Sequence, residues 1–248
     1  MAIEALLGQL ENDMAQAEIT KIPATVITGF LGAGKTTLIR NLLQTANGKR
    51  IALIINEFGD LGVDGDVLKG CGVETCTEDD IVELTNGCIC CTLRDDLLAE
   101  VRRLAGENRF DYLLIESTGV SEPLPVAATF EFQDETGQSL SDVARLDTMV
   151  TVVDAVNFPR DFASYDQLTD RGETMGDADD RNLVHLLTDQ VEFADVVILN
   201  KVDAATADQV DAAGKIIRSL NNDAKVLETS HGVVPVDAIL DTKLFDFA

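Results

Sequence analysis

Basic side chains are scarce in this chain. Its 248 residues include 19 Lys and Arg against 44 Asp and Glu, a formal net charge of −25. So acidic a surface repels the phosphates of DNA and RNA, which excludes a nucleic acid as the main partner. It suits a protein that attracts cations. Long apolar runs are missing too: no stretch approaches the roughly 18–20 consecutive apolar residues that span a bilayer. The first twenty residues hold no Lys or Arg, and Glu4, Glu11, Asp13 and Glu18 interrupt their apolar positions. A secretory signal shows the reverse pattern. The expected location is therefore cytoplasmic, with no membrane partner. Ile3, Leu6, Leu7, Leu10 and Met14 fall on one face of a short helix, so 1–20 is expected as a leader helix ahead of a domain over 21–248. No internal repeat is visible. The 46% hydrophobic content is enough to bury the core of one large domain.

What the chain does have begins at Gly29-Phe30-Leu31-Gly32-Ala33-Gly34-Lys35-Thr36. The β-branched run before it, 24–28, reads as a buried strand. The segment after it, 37–43, carries apolar residues at helical spacing. A Gly-rich turn between a strand and a helix presents consecutive backbone N–H groups and a helix N-terminus to an anion, the requirement for cradling phosphates. Lys35 is expected to reach the β- and γ-phosphates, and the Thr36 hydroxyl to hold a magnesium ion. Thr37 continues the same turn.

Further short runs rich in Val, Ile and Leu follow at Ile51–Asn56, Tyr112–Glu116, 149–154 and Val196–Asn200, each ending in a polar residue. Helical patterns lie between them at 95–105, 184–193 and 206–220. This alternation predicts an α/β fold, a mainly parallel sheet flanked by helices in three layers, with function at the carboxyl ends of the strands. The acidic stretch 157–181 reads as a solvated insertion. It lacks the spacing of an EF-hand calcium loop.

Asn200-Lys201-Val202-Asp203 follows one of these strands directly. One carboxylate can accept both the N1–H and the exocyclic amine of guanine, whereas adenine leaves it unpaired. Asp203 therefore selects guanine. Asn200 braces the loop and the Lys201 stem covers the base. Glu116 ends its strand where an acid would complete the magnesium shell, and Gly119 lets a backbone N–H approach the γ-phosphate. Glu57, Asp60 and Asp64 fall where a switch loop would meet that phosphate and the magnesium. Neither a water-positioning Gln nor an arginine finger is identifiable, so hydrolysis is expected to be slow without a partner.

Three of the five cysteines, Cys88, Cys90 and Cys91, lie within four positions, with Cys71 and Cys76 upstream. Such clustering in a chain without a secretory signal reads as thiolate metal chemistry, and soft thiolates suit Zn(II) or Cu(I). The two separated CxxC pairs of a structural zinc site are lacking, which leaves room for an exchangeable ligand. A redox relay or inert buried cysteines are the other readings. His185 and His231 are each isolated and read as ordinary structural or surface residues.

Taken together, these segments resemble the CobW-type phosphate-loop GTPases, a family of zinc metallochaperones and cobalt-handling proteins. The matching stretches are GFLGAGKTTL at 29–38, NEFGDLGVD at 56–64, NGCICCTLRDDL at 86–97, ESTG at 116–119 and NKVD at 200–203. The resemblance implies a SIMIBI-class G domain and GTP hydrolysis coupled to metal delivery. It gives Cys88, Cys90 and Cys91 the zinc-binding role, with Co(II) as the other metal the family handles. Thr36, Glu57 and Glu116 fall to magnesium, and Gly29, Phe30, Leu31, Gly32, Ala33, Gly34, Lys35, Thr36, Thr37, Asn200 and Asp203 to the nucleotide. The implied partners are GTP or GDP and a metal-receiving client protein, with a homodimer left open. Relatives usually continue into a further C-terminal domain, which the sequence ending at 248 is expected to lack. LKGCGVETC at 68–76 looks like the cobalamin-associated branch, while STGVSEPLP at 117–125 and SLSDVARLDTMVTVVDA at 139–155 look like the branch linked to zinc limitation. The greater matched length favours zinc. A nucleotide-gated metal sensor or store, and a cobalt-handling GTPase of cobalamin synthesis, are the alternatives.

Overall fold

The computed structural model describes residues 21–46, 48–56, 81–84, 93–107, 109–133, 137–171 and 181–246. Its centre is a seven-stranded sheet, β1 (Ile22–Thr28), β2 (Ile51–Asn56), β3 (Ile81–Leu84), β4 (Tyr112–Glu116), β5 (Ala144–Asp154), β6 (Val196–Asn200) and β7 (Lys225–Glu228). The spatial order is β3-β2-β4-β1-β5-β6-β7, and every pairing is parallel. The expected α/β architecture is thus present.

Parallel strands need crossover connections, and helices supply them on both faces. They are α1 (Lys35–Gln44), α2 (Leu93–Gly106), α3 (Pro123–Glu131), α4 (Phe158–Phe162), α5 (Leu183–Glu192) and α6 (Ala207–Leu220). Because side chains alternate along a strand, β1, β2, β4, β5 and β6 each feed two cores. Ile27, Leu53, Leu114, Val150 and Ile198 pack against Leu38, Ile39 and Leu42 of α1 and against Ile239 and Leu240 near the C-terminus. On the opposite face, Val26, Ile54, Ile115 and Met149 meet Leu97 and Val101 of α2 and Phe130 of α3. Val153, Val197 and Leu199 on that face meet α5 and α6.

The segment expected to be a solvated insertion is partly folded in. Asp161 of α4 is buried, and Arg171 holds it at 3.1 Å and Asp166 at 2.8 Å. A strand bridge between Gln167 and Asn182 closes the segment's base. Charge pairing, which composition alone does not show, is what lets these acidic residues pack. The leader expected over 1–20 lies outside the described residues.

β1 sits at the point where chain order reverses. β4 and β2 lie on one side of it, β5 and β6 on the other. A crevice outside the carboxyl ends of the strands opens at such a switch point, and the sequence places the Gly-rich loop there.

Candidate functional site

All strands being parallel, Thr28, Glu116, Asp154 and Asn200 end at one edge of the sheet, with Ile27 opposite Glu116 and Asp154 opposite Asn200. The Gly29–Thr36 loop leaves β1 at this edge and enters α1. Gly34 stands at φ +107°, and a Cβ on it would lie 2.4 Å from Asn200 Nδ2, so both backbone and space demand glycine. Gly34→Ala is expected to lower nucleotide affinity at least about tenfold while the chain still folds, because a clash of this size disturbs the loop and not the core. Calorimetric titration with GDP, beside a thermal melt, checks this.

The buried Lys35 ammonium donates to the carbonyl oxygens of Gly29 (2.9 Å) and Phe30 (3.4 Å), folded over its own loop. Thr36 Oγ1 donates to Glu116 Oε1 at 3.3 Å, which joins the hydroxyl and carboxylate assigned to magnesium although 80 residues separate them. Glu116 is 3% exposed. A hydroxyl and a nearly buried carboxylate form a hard oxygen pair that fits magnesium and its preference for few protein ligands. Gly119 lies against the same loop: a Cβ there would be 2.8 Å from Leu31 N.

Asn200 is a strut. Its Nδ2 donates to Ala33 O (2.9 Å), and its Oδ1 accepts from Gly232 N (3.0 Å). Lys201 adopts φ +63°, and its ammonium donates to Gly32 O at 2.6 Å and to Asp154 Oδ2 at 2.8 Å. A left-handed non-glycine residue is strained and persists only where its surroundings enforce it, and here two bonds do so. Burial pushes the Asp154 carboxyl upward, but Lys201, the Asn157 amide and the Val156 N–H outweigh it and hold the group below its usual range. Asp154 therefore stays ionised and keeps Lys201 over the phosphate loop. Asp203 is half exposed beside this frame, and its Oδ2 faces His231 Nε2 at 3.4 Å.

Sequence reasoning missed two members of this group. His231, read as isolated, belongs to a loop after β7 that Asn41 Nδ2 anchors through His231 O at 2.7 Å. The signal was hidden with β7, which the sequence does not reveal; once that strand is in place, its parallel pairing with β6 puts the following turn at the same edge as the other sites. Asp154 likewise was read as a strand end without a role. Cys88, Cys90, Cys91 and Glu57 lie outside the described residues, as do Asp60 and Asp64. Among the described residues no group of His, Cys, Asp or Glu is arranged to hold a metal ion, and no helix is long and apolar enough to cross a membrane.

A wholly parallel sheet with a Gly-rich loop between β1 and α1, a lysine folded over that loop and an acid at the end of β4 define a phosphate-loop nucleotide-binding protein. More particularly, the chain belongs to the CobW/HypB/UreG family, whose nucleotide-binding domain matches residues 23–228. It is 45% identical over 235 residues to the zinc-regulated GTPase metalloprotein activator 1 of Dictyostelium discoideum, covering 92% of this chain and 50% of that one. It is 47% identical over 239 residues to the zinc chaperone CobW of a Sinorhizobium species, covering 91% and 64%. The chain thus spans between half and two thirds of these relatives. Among solved structures, a zinc-bound triple mutant of the YjiA GTPase superposes with a TM-score of 0.61 at 26% identity, covering 92% of this chain and 63% of that one.

Proposed function

We propose that this chain is a GTP-hydrolysing zinc metallochaperone: it binds Mg-GTP at the loop edge, holds Zn(II) on Cys88, Cys90 and Cys91, and passes the metal to a client protein. The observation that carries the nucleotide half is the tie between the phosphate loop and the NKVD tetrapeptide. Asn200 and Lys201 bond to Ala33 O and Gly32 O, so phosphate and base recognition share one rigid frame. The names of the zinc-handling relatives support the metal half.

In this reading Asp203 accepts the two guanine donors, and the Lys201 stem lies along the base. The backbone N–H groups of 29–37 cradle the phosphates. Lys35 exchanges its loop carbonyls for β- and γ-phosphate oxygens, which accept from an ammonium more strongly than a neutral carbonyl does. Thr36 and Glu116, with Glu57, would hold magnesium, whose charge offsets that developing on the transferred phosphoryl group. Zinc is the cargo. GTP binding favours retention of the metal on the cysteines, and hydrolysis favours its release.

Zinc affinity measured by chelator competition on reduced protein tests this, with Mg-GTP, with Mg-GDP and without nucleotide. A difference of about fivefold or more between states is expected, roughly 1 kcal/mol of coupling. Changing Cys88, Cys90 and Cys91 together to Ser is expected to abolish both the zinc affinity and any zinc stimulation of GTP hydrolysis. Equal affinities in all three states would leave the cysteines a structural or redox feature.

A further inference from the structure

On the core-facing side of α5, among Leu186, Leu187 and Val191, sits one long polar residue, Gln190, 1% exposed. A buried carboxamide is costly unless its donors are used. Gln190 Nε2 donates to Gly119 O at 3.3 Å and to Ser121 O at 3.2 Å, so one side chain pins both flanks of Val120. The residue is itself fixed from the sheet. Its backbone carbonyl accepts from Thr151 Oγ1 at 2.5 Å, and that hydroxyl pairs with Thr28 Oγ1 at 2.9 Å. Thr28 is the residue immediately before the phosphate loop, and it and Thr151 are fully or nearly fully buried.

A continuous polar relay therefore runs from the entry of the phosphate loop, across β1 and β5, through α5, to the turn after Glu116. Beyond Gly119 the circuit closes on the loop itself, because Gly119 packs against Leu31. Leu31 and Gln190 also line one cleft of about 200 Å³, floored by Val152, Val153 and Leu187. The carboxamide is the tie that holds the Gly119 and Ser121 carbonyls in one orientation.

We propose that Gln190 is a positioning residue for the terminal phosphate. By fixing the Gly119 and Ser121 carbonyls it presents the Gly119 N–H in the orientation that a triphosphate meets and a diphosphate does not. This rests on the reading of 116–119 as the γ-phosphate turn. Gln190 touches neither the base site nor the Lys35 loop, so its effect falls on the discrimination between GTP and GDP and spares general nucleotide affinity.

The test uses the full chain with Mg-GDP and a non-hydrolysable GTP analogue, together with hydrogen–deuterium exchange on nucleotide-free protein. Gln190→Leu keeps the volume and removes the donor. The expected result is an affinity for the analogue reduced about tenfold, GDP affinity within twofold of the parent, a lower kcat, and faster exchange over 117–122. Thr151→Val, which removes the hydroxyl behind Gln190 at constant shape, gives the same pattern more weakly, and it carries the test if Gln190→Leu fails to fold. Equal weakening of both nucleotides means a merely structural role and overturns the proposal. So does unchanged exchange over 117–122. Failure of the parent protein to bind either nucleotide would instead sink the GTP reading, and the exchange arm would still judge the anchor.

Discussion

Asp203→Asn is expected to weaken GDP binding at least about 100-fold, close to 2.7 kcal/mol, and to let the protein bind xanthosine diphosphate in its place. The chemistry is local. A carboxylate offers two acceptors to the N1–H and the exocyclic amine of guanine, and both bonds are charge-assisted. A carboxamide keeps one acceptor and turns a donor toward the amine, which leaves two donors facing each other in a desolvated contact. Xanthine carries a carbonyl where guanine carries the amine, so the carboxamide donor finds a partner. The surrounding frame survives the substitution, because Asn200 and Lys201, not Asp203, make the bonds to Ala33 O and Gly32 O. Competition titration of GDP and xanthosine diphosphate against a fluorescent nucleotide checks both halves. Loss of guanine binding without gain of xanthine would mean that Asp203 supports the loop and does not read the base. His231, 3.4 Å from this carboxylate, must yield when the base enters.

The parts of the fold legible in the sequence were those whose physics is carried by adjacent residues. The phosphate loop is contiguous, and the apolar runs of β2, β4 and β6 match the structure end to end because buried parallel strands carry no alternation to confuse the reading. α5 and α6 were placed to within a residue or two, since their amphipathic faces are regular. α3 was not read. Pro123 and Pro125 look like breakers, yet proline is tolerated in the first turn, where no N–H is owed to the helix. β7 escaped because it is a four-residue edge strand, only partly buried. Within the site, the residue types of the motifs were legible but their partners were not. Asn200 reaches Ala33 across 167 positions, and Gln190 reaches Gly119 across 71. No local pattern encodes such distances, and a glutamine on an apolar helix face gives no hint of what it holds.

The most consequential misreading concerns β5, which the sequence started at Met149 because Asp147 and Thr148 interrupt the apolar run. In the structure β5 extends back to Ala144, and the pairing with β1 skips a residue: Ala24 aligns with Leu146 but Thr25 with Thr148. The skipped residue is Asp147, in a bulge that lets a buried carboxylate sit inside a strand. It accepts from Tyr112 Oη (2.7 Å), Thr242 N (2.8 Å) and Arg145 (2.5 Å), and more weakly from Lys243 N (3.3 Å). Tyr112 Oη also meets Thr25 Oγ1, whose hydroxyl is 3.0 Å from Ile239 O. The cluster thus fastens residues 239–245 across the sheet edge opposite the nucleotide. Asp147→Ala strips these donors of their acceptor in the interior and is expected to cost about 3 kcal/mol, a fall of roughly 10 °C in Tm for a chain this long. Burial raises the Asp147 carboxyl, but the Tyr112 hydroxyl, Arg145 and the Thr242 N–H outweigh it and leave the group below its ordinary value. A carboxyl depressed in the folded state stabilises fully above its unfolded pKa, near 4, and that contribution drains away as pH falls through the lower folded value. Melts of the parent should therefore lose stability below about pH 4 more steeply than those of Asp147→Asn, which cannot titrate. The nucleotide site lies at the other end of the strands, so GDP affinity at neutral pH should be unchanged in any folded Asp147 variant. A variant that kept its Tm but lost GDP would show that the fastening serves the site and not the fold.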